Sequence, residues 1–465
     1  MRLLCNLPLE CFEERARWPD FDLVTFGPAG RMRVDGVLYP FDVEFDPSRE
    51  TLEELYAKLP PGKRPDAILI WWPDQEPLPE GLDKAPCPVV GIVSDYNLSL
   101  PAIAGLWPYF DLLLVDKSGV DVFRRLSFAA VEPFCQFTFK QPFHKLYDGI
   151  DRDLDVGFAG NLNKVVQGER ARWLSRLLQL RTRGLSVEVR TGIVGPEYGR
   201  FLNRARIGWN RSIRGEMNLR AFEVPACGAM LMLERENLEV RDHFAQDHEV
   251  ILYGDDDLED LVMRYSLDDA ARERVARAGA ARVREYTMGR RLEQIAELVE
   301  ARLGSRPRAT DFELALGRAT AMLGTWATPA AALQAIERAI ALEPNDPRAW
   351  NLRALCWLRA DPHAHAQRAL ADLGRALATT PTYLPAAANL VELLERGGRP
   401  DLAIPAKAEL QRRNSLVPSW TDVDGLLFPL GYTARNVAAA HALAAGVREG
   451  TPSTVAAAIT DGVPT

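Results

Sequence analysis

The chain has 465 residues, of which 47% are hydrophobic and 26% are charged. This composition excludes a fibrous or disordered protein, and the length exceeds what one hydrophobic core supports, so we expect two or three domains. The 56 basic residues against 64 acidic residues give a formal net charge of -8, which disfavours nucleic acid as a partner.

The first residues, MRLLCNLPLECFEERARW, carry no basic segment that leads into a long apolar run, and no later window offers the roughly 18 apolar residues of a membrane span. We therefore expect a cytoplasmic protein without a membrane span. The six cysteines lack C-x-x-C spacing, so the sequence predicts neither a disulfide framework nor a zinc site.

Residues 1–150 alternate short apolar runs with polar or amphipathic segments, and the runs include AILIWW, PVVGIVSD and DLLLVDK. Apolar runs of this length without strict alternation are typical of buried parallel strands. Residues 151–304 repeat the pattern with LDVGFAG, IGWNRS and AMLMLE, separated by helical segments. The sequence therefore predicts an α/β fold with two Rossmann-like, doubly wound domains.

Residues 305–448 lose the strand-like runs, and Ala and Leu recur at helical spacing. Pro344, Pro381 and Pro418 recur at a fixed interval (381 - 344 = 418 - 381 = 37). Tetratricopeptide units are helix-turn-helix repeats of about 34 residues in which a Pro ends the second helix. We predict an all-α, tetratricopeptide-like domain here, with an irregular helical bundle as the alternative, and a flexible tail over residues 449–465.

The loop GFAGNLNK follows the first predicted strand of the second domain. In a doubly wound sheet, ligands gather at the carboxyl ends of the strands, and a helix N-terminus there favours anions. Gly157 and Gly160 permit close approach of the backbone, while Asn161, Asn163 and Lys164 supply donors for a diphosphate. Tight packing of the strand against the next helix is the alternative explanation.

The segment NRSIRGEMNLRAFEVPACGAMLM, residues 210–232, carries a denser set of polar side chains. We predict a helix that begins near Glu216 and ends near Gly228. Spacings of four and three residues then place Glu216, Arg220 and Glu223 on one helix face. A solvated row of ion pairs is the alternative, but a helix at the carboxyl edge of a sheet points its positive end into the predicted interdomain cleft, where an arginine can bind phosphate.

The runs FAGNLN, GEMNLRAFEVPACG and EVILYGDDDLEDLV together resemble the C-terminal domain of the spore-maturation-type (CgeB-like) glycosyltransferases. These enzymes have two Rossmann-like domains, the GT-B fold, and are related to the large retaining family 4. The resemblance covers roughly residues 155–303. It implies a nucleotide diphosphate sugar as the donor, with Glu223 at the ribose hydroxyls and with Glu216 and Asn218 near the donor sugar.

The resemblance also implies a retaining, hexosyltransferase-like enzyme. Six residues separate Glu216 from Glu223 (223 - 216 - 1 = 6), whereas retaining relatives usually have seven, so the stereochemical outcome stays open. Arg220 or Lys164 would neutralise the diphosphate leaving group, so we expect neither a metal nor another cofactor. The candidate donor-binding residues are Gly160, Asn161, Asn163, Lys164, Arg214, Asn218, Arg220 and Glu223.

Asp95 ends the buried strand PVVGIVSD of the first domain. We interpret Asp95 as the residue that orients or deprotonates an acceptor hydroxyl, so Asp95, Glu216 and Arg220 form the predicted catalytic set. Capping of the following segment is the alternative role for Asp95. His144 lies near the predicted joint between the two domains, where we expect it to be structural.

These patterns predict a metal-independent glycosyltransferase whose helical domain presents a protein acceptor. Two alternatives stay open. One is a non-catalytic helical-repeat adaptor with a degenerate transferase core, and the other is a sugar-nucleotide epimerase on the same two-domain scaffold. An adaptor would bind no nucleotide sugar, and an epimerase would release an isomerised sugar nucleotide without an acceptor.

Overall fold

A computed structural model describes residues 1–162, 168–325 and 327–414. Its strands are β1 (Arg2–Cys5), β2 (Asp22–Gly27), β3 (Arg33–Val34), β4 (Val37–Leu38), β5 (Val43–Glu44), β6 (Ala67–Trp71), β7 (Val89–Ile92), β8 (Leu112–Val115), β9 (Val131–Pro133), β10 (Leu154–Ala159), β11 (Val187–Arg190), β12 (Ala205–Trp209), β13 (Met230–Glu234) and β14 (Ile251–Tyr253). The predicted flexible tail lies outside the described residues.

The first α-helices lie among the strands, and within the described residues no strand follows β14. They are α1 (Leu52–Lys58), α2 (Tyr96–Ala104), α3 (Val120–Arg125), α4 (Gly168–Gln179), α5 (Gly195–Arg204), α6 (Leu219–Ala226), α7 (Val240–His243), α8 (Leu258–Leu267), α9 (Asp269–Val283), α10 (Met288–Arg302), α11 (Asp311–Gly324), α12 (Pro329–Leu342), α13 (Pro347–Ala360), α14 (Ala366–Thr379), α15 (Leu384–Arg396) and α16 (Pro400–Asn414).

The chain divides into two compact units, each built from separate stretches of sequence. Of the described residues, unit 1 holds those within 1–44, 115–118 and 133–301, and unit 2 holds those within 45–114, 119–132 and 302–414. The predicted domain boundaries near residues 150, 304 and 448 stay predictions.

Unit 1 contains a five-stranded parallel sheet with the order β11-β10-β12-β13-β14. Side chains of β10 enter two apolar layers: Val156 and Phe158 share one layer with Trp173 of α4, and Ala159, of opposite parity along the strand, shares the other with Phe222 of α6. Burial of both faces explains why the run LDVGFA is almost continuously apolar. This sheet is the second Rossmann-like domain that the sequence predicts.

Unit 1 also contains β1, β2 and β5, which pair in parallel in the order β5-β2-β1, and the antiparallel hairpin of β3 and β4. Helix α10 contacts two segments of the unit that lie outside these strands, one at Glu13 and one at Phe137. Its Arg291 side chain is 1% exposed and donates to the carbonyl of Phe137 at 2.8 Å, and the Gly289 N–H donates to the Glu13 carboxylate at 3.2 Å. Buried polar contacts therefore hold the end of the second predicted domain within unit 1.

Unit 2 combines the strands β6-β7-β8-β9 with the helical region from α11 onward. Helix α11 crosses α2 where Gly105 and Gly317 meet: a Cβ atom on Gly317 would lie 2.1 Å from the Gly105 carbonyl oxygen. Arg306 adds a polar anchor, since its Nε lies 3.0 Å from the Asp111 carboxylate and its Nη2 donates to the Ala85 carbonyl at 2.6 Å. The helical region is therefore packed into unit 2.

The interval of 37 residues found in the sequence recurs in the helices. Helices α12 and α14 begin at Pro329 and Ala366 (366 - 329 = 37), and α13 and α15 begin at Pro347 and Leu384 (384 - 347 = 37). The predicted fold class is confirmed: Rossmann-like parallel sheets are followed by an all-helical region.

Candidate functional site

The predicted helix in the segment 210–232 begins later than the sequence suggested. Helix α6 begins at Leu219, because the Asn218 side chain accepts a hydrogen bond from the Ala221 N–H at 3.3 Å and so caps the helix. The Asn210 side chain donates to the same Asn218 oxygen at 2.9 Å and fixes its orientation. The prediction of a helix start near Glu216 is therefore wrong, and Glu216 lies in the loop before the helix.

Glu216 holds the shape of that loop. Its carboxylate accepts hydrogen bonds from the backbone N–H groups of Ile213 at 3.1 Å and Arg214 at 2.6 Å. The side chain is buried, and this burial raises the pKa of Glu216. Since Glu216 precedes the helix, it does not share a helix face with Arg220 and Glu223.

Arg220 lies at the carboxyl ends of β10 and β12. Its Nε donates to the Ala159 carbonyl at 2.9 Å, and its Nη1 donates to the Asn210 side-chain oxygen at 3.0 Å. The guanidinium stacks over the Phe158 ring, 4.5 Å from the ring centroid. In the part of the chain that the structure describes, Arg220 makes no ion pair, so the alternative of a solvated ion-pair row does not apply to it.

Gly160 gives the Arg220 guanidinium its space. A Cβ atom at position 160 would lie 2.1 Å from Nη2 of Arg220, closer than any real contact. The sequence predicted close backbone approach at this glycine, and the group that approaches is an arginine side chain. Asn161 follows directly and uses its backbone carbonyl to accept a hydrogen bond from Arg170 at 2.8 Å.

Arg170, in the first turn of α4, is a candidate site residue that the sequence analysis missed. Its buried guanidinium donates to the carbonyls of Asn161 and Arg211, at 2.8 Å and 3.1 Å, and lies over the same Phe158 ring as Arg220. Burial, together with the charge of Arg220, lowers the pKa of Arg170 to about 10. An arginine in the first turn after a glycine-containing loop was the signal that could have identified it.

Glu223 lies three residues after Arg220 on α6 and is 5% exposed. The Tyr198 hydroxyl donates to its Oε2 at 2.9 Å, and Nε2 of His144 lies 3.6 Å from its Oε1. A buried carboxylate with neutral donors beside it is suited to accept hydrogen bonds from ligand hydroxyl groups.

Three of the predicted donor-binding residues remain: Arg214, Asn163 and Lys164. The Arg214 guanidinium forms an ion pair with Asp116, with 2.7 Å between Nη2 and Oδ2, and both side chains are largely buried. Arg214 therefore braces the loop that also contains Glu216. Asn163 and Lys164 lie outside the described residues.

Asp95 belongs to unit 2 and lies three residues after the end of β7, at the N-cap position of α2. Its side chain is half-buried, and both predicted roles, capping of α2 and orientation of an acceptor hydroxyl, stay open for it. Asp74 occupies the equivalent place three residues after β6, is 2% exposed, and accepts a hydrogen bond from the Ser99 hydroxyl at 3.2 Å. Burial, with a contribution from the charge of Asp95, raises the pKa of Asp74 to about 6.

The backbone beside these two carboxyl groups is strained. Trp72 directly follows β6 and has a φ angle of 53°, an outlier for a bulky side chain. Strained residues of this kind concentrate at functional sites, which supports a functional role for this strand edge.

Among residues 1–162, 168–325 and 327–414, the structure shows no group of three His, Cys, Asp or Glu side chains that could hold a metal ion. The helices of the same residues include none that is long and apolar enough to cross a membrane.

Comparison with known proteins identifies part of the chain. Residues 145–297 match a family described as glycosyl transferase-like, whereas no curated protein matches the chain. Sucrose-phosphate synthase from Thermosynechococcus elongatus is 12% identical with a TM-score of 0.42, over 64% of this chain and 98% of that chain.

Two further solved structures are similar at the same low level. An α,α-trehalose-phosphate synthase (UDP-forming) from Burkholderia xenovorans, in complex with glucose-6-phosphate, is 12% identical with a TM-score of 0.41, over 64% of this chain and 99% of that chain. Anabaena HepE, in complex with UDP and glucose, is 13% identical with a TM-score of 0.38, over 51% of this chain and 78% of that chain. The matched segment contains Arg220 and Glu223, so the surroundings of both residues are similar to a glycosyl transferase-like domain.

Proposed function

We propose that this chain is a cytoplasmic, metal-independent glycosyltransferase that moves a sugar from a nucleotide diphosphate sugar to an acceptor hydroxyl. One observation carries the proposal. Arg170 and Arg220 bring two positive charges to one aromatic ring at a strand edge, without a carboxylate partner in the described part of the chain. Like charges this close repel each other, and a bound diphosphate would remove the repulsion.

The chemistry of sugar transfer needs this positive charge. The bond between the anomeric carbon and the diphosphate oxygen breaks, and its electron pair stays on the diphosphate. The acceptor oxygen forms the new bond to the anomeric carbon and passes its proton to a base, for which Asp95 is the candidate. Guanidinium groups fixed in place before the reaction stabilise the charge that grows on the leaving oxygen. We infer metal independence from these guanidinium groups, because they supply the charge that a divalent cation supplies in other phosphate sites.

The remaining predicted residues are proposed to hold the donor around this pair. Glu223 would accept hydrogen bonds from the ribose hydroxyls, as the resemblance implies. Asn218 and Glu216 would lie near the donor sugar, with Glu216 acting through the loop whose N–H groups it binds. Asp95 is proposed to orient or deprotonate the acceptor hydroxyl, since its half-exposed carboxyl group follows a buried parallel strand.

The finer classification rests on the resemblance alone. We propose a retaining hexosyltransferase of the spore-maturation type. The test is the anomeric configuration of the product, which nuclear magnetic resonance measures directly from the coupling constant of the anomeric proton. A product with the donor's configuration is expected, and an inverted product would contradict this classification.

We also propose that the helical region is tetratricopeptide-like and presents a protein acceptor. On α13 and α14, the guanidinium groups of Arg353 and Arg375 lie 4.6 Å and 5.0 Å from the ring centroid of Trp350. The Arg368 guanidinium lies 4.8 Å from the ring centroid of Trp357. In the described part of the chain, Arg368 and Arg375 have no carboxylate partner. Exposed arginines on aromatic rings suit an acidic segment of the acceptor.

The first experiment tests whether the chain binds a nucleotide sugar, and which one. Thermal unfolding should be measured with UDP-, GDP-, ADP- and dTDP-sugars, because a ligand at about 100 times its dissociation constant adds about 2.7 kcal/mol of stability. Glu223→Ala should then weaken binding of the preferred nucleotide by about 1.5 to 3 kcal/mol, roughly tenfold to 150-fold. A folded chain that binds none of these donors would support the adaptor instead, and an isomerised donor would support the epimerase.

Acceptor binding is tested by substitutions and not by deleting the helical region, because α11 is packed into unit 2. Arg368→Glu with Arg375→Glu should abolish incorporation of a radiolabelled sugar into proteins of a source-cell lysate and leave hydrolysis of the donor unchanged. Arg399→Glu is the control, since Arg399 lies in the same region and is paired with Asp401. Full incorporation by the double variant would exclude this surface.

A further inference from the structure

Two side chains that have no part in the proposed transfer flank Glu223. They are Tyr198 and His144, and the sequence predicts a structural role for His144. The His144 side chain is 1% exposed, and that of Glu223 is 7% exposed. The two aromatic rings contact each other edge to face, 5.5 Å between centroids. His144 precedes the glycosyl transferase-like match, which begins at residue 145. The surroundings of Glu223 are therefore completed from outside the matched segment.

The hydrogen bonds of His144 determine which nitrogen carries its proton. The backbone N–H of Lys140 donates to Nδ1 at 3.0 Å, so Nδ1 is an acceptor. Burial lowers the pKa of His144 and keeps the ring neutral at neutral pH. The proton of the neutral ring is then on Nε2, which lies 3.6 Å from Oε1 of Glu223. Nε2 is a buried donor that lacks a hydrogen-bond partner in the part of the chain that the structure describes.

Tyr198 supplies the second donor. Its hydroxyl donates to Oε2 of Glu223 at 2.9 Å. Burial, strengthened by the charge of Glu223, raises the pKa of Tyr198 well above its usual value, so the hydroxyl keeps its proton. His144 and Tyr198 therefore address different oxygens of one carboxylate, and both do so as neutral donors.

We propose that His144 and Tyr198 are positioning residues that aim the Glu223 carboxylate at the two ribose hydroxyls of the nucleotide. The inference rests on the proposed function. A carboxylate has about four acceptor positions, and if Tyr198 and His144 fill one on each oxygen, one on each oxygen remains for a ribose hydroxyl. A small shift of Glu223 toward Nε2 on binding would also satisfy the buried donor of His144.

The experiment compares two nucleotides that differ only in the hydroxyls concerned. Isothermal titration measures the dissociation constants of the preferred nucleoside diphosphate and of its 2′,3′-dideoxy counterpart. We expect the wild-type chain to bind the ribose form roughly 30-fold more tightly. Tyr198→Phe and His144→Leu should each reduce this ratio to roughly fivefold or less, and His144→Gln, which keeps an N–H donor, should restore most of it.

Matched controls come from the same unit. His243→Gln changes a second histidine that packs on α6, 5.9 Å from the Phe222 ring, and Tyr147→Phe removes a hydroxyl that donates to the Phe143 carbonyl at 2.9 Å. Neither side chain is a partner of Glu223 in the contacts described above. Both controls should keep the wild-type ratio even if they lower the melting temperature.

The possible outcomes separate the two levels of the proposal. A ratio unchanged in Tyr198→Phe and His144→Leu, or equal weakening of both nucleotides, overturns the positioning role and leaves the proposed function intact. A wild-type chain that binds both nucleotides equally overturns the ribose contact of Glu223 and the positioning role with it. A wild-type chain that binds no nucleoside diphosphate overturns the proposed function itself.

Discussion

Two strand edges of this protein have the same geometry and opposite chemistry. In unit 1, the carboxyl ends of β10 and β12 collect the guanidinium groups of Arg170 and Arg220 around one phenylalanine ring. In unit 2, the carboxyl ends of β6 and β7 are followed, three residues on in each case, by the carboxyl groups of Asp74 and Asp95. Parallel topology therefore determines where polar groups gather, and the residue types determine which ligand each edge suits: an anion in unit 1 and a hydrogen-bond donor in unit 2.

The largest expected effect concerns the carboxyl edge and the pH dependence of stability. The pKa of Asp74 is raised to about 6 in the folded chain, above its value of about 3.9 when unfolded. Between these two pH values the folded state binds more protons than the unfolded state, so the unfolding free energy falls as the pH rises. The contribution of Asp74 to stability is therefore fully present below about pH 4 and is lost as the pH rises through about 6. Asp74→Asn cannot ionise and should gain, relative to wild type, on the order of 3 kcal/mol of unfolding free energy between pH 4 and pH 7.5.

Urea unfolding at the two pH values measures this difference. Asp121→Asn is the matched control, because the Asp121 side chain lies in the same unit and is 74% exposed. The unfolding free energy of this variant should change with pH as that of the wild type does. If Asp74→Asn and wild type change in parallel from pH 4 to pH 7.5, the Asp74 carboxyl group is not held protonated, and the contrast between the two edges is weaker than we describe.

The second effect concerns the arginine edge and the binding of nucleotide. Arg220→Met removes the guanidinium and keeps a side chain that can pack on Phe158. Binding of a nucleoside diphosphate should weaken by about 2 kcal/mol, roughly 30-fold, because a charged hydrogen bond to phosphate is lost. Isothermal titration measures the change.

The control for Arg220 is another arginine of unit 1. The Arg172 side chain is 66% exposed and paired with Asp255, so Arg172→Met should leave nucleotide affinity at the wild-type value. If the Arg220→Met variant and the wild type bind the nucleotide equally and have the same melting temperature, the proposed anion site in unit 1 is wrong.

Much of the fold was predictable because buried parallel strands leave a clear mark on a sequence. The runs AILIWW and AMLMLE correspond to β6 and β13, since both faces of such strands are covered. The hairpin of β3 and β4 was missed, because its four residues are exposed or half-exposed and show no apolar run. The contact between Gly105 and Gly317 was also unpredictable, because it joins helices that are more than two hundred residues apart in the chain.

The sequence predicted where the candidate site lies, but it did not predict most of the side-chain contacts within the site. The sequence identified Arg220 and Glu223 because the polar segment that contains them follows a predicted strand. It did not identify Tyr198, whose hydroxyl reaches Glu223 from α5, or Arg170, because side-chain contacts between separate elements leave no periodic pattern. The start of α6 was misplaced because Asn218 and Glu216 both have residue types that favour helix N-termini, and only the observed hydrogen bond to the Ala221 N–H decides between them.

The smallest effect tests whether Gly160 serves the arginine edge or only the packing of the sheet. Gly160→Ala places a methyl carbon 2.1 Å from the present position of Nη2 of Arg220, and the flexible tip of the arginine can move aside. The unfolding free energy should therefore change by less than about 0.5 kcal/mol, while nucleotide binding weakens by about 1 kcal/mol, roughly fivefold. Gly168→Ala is the control, since a Cβ there meets nothing within 4 Å. A loss of stability without a loss of affinity would mean that Gly160 is needed for packing, whereas the reverse result would show that the free end of Arg220 must remain where it is for the diphosphate to bind.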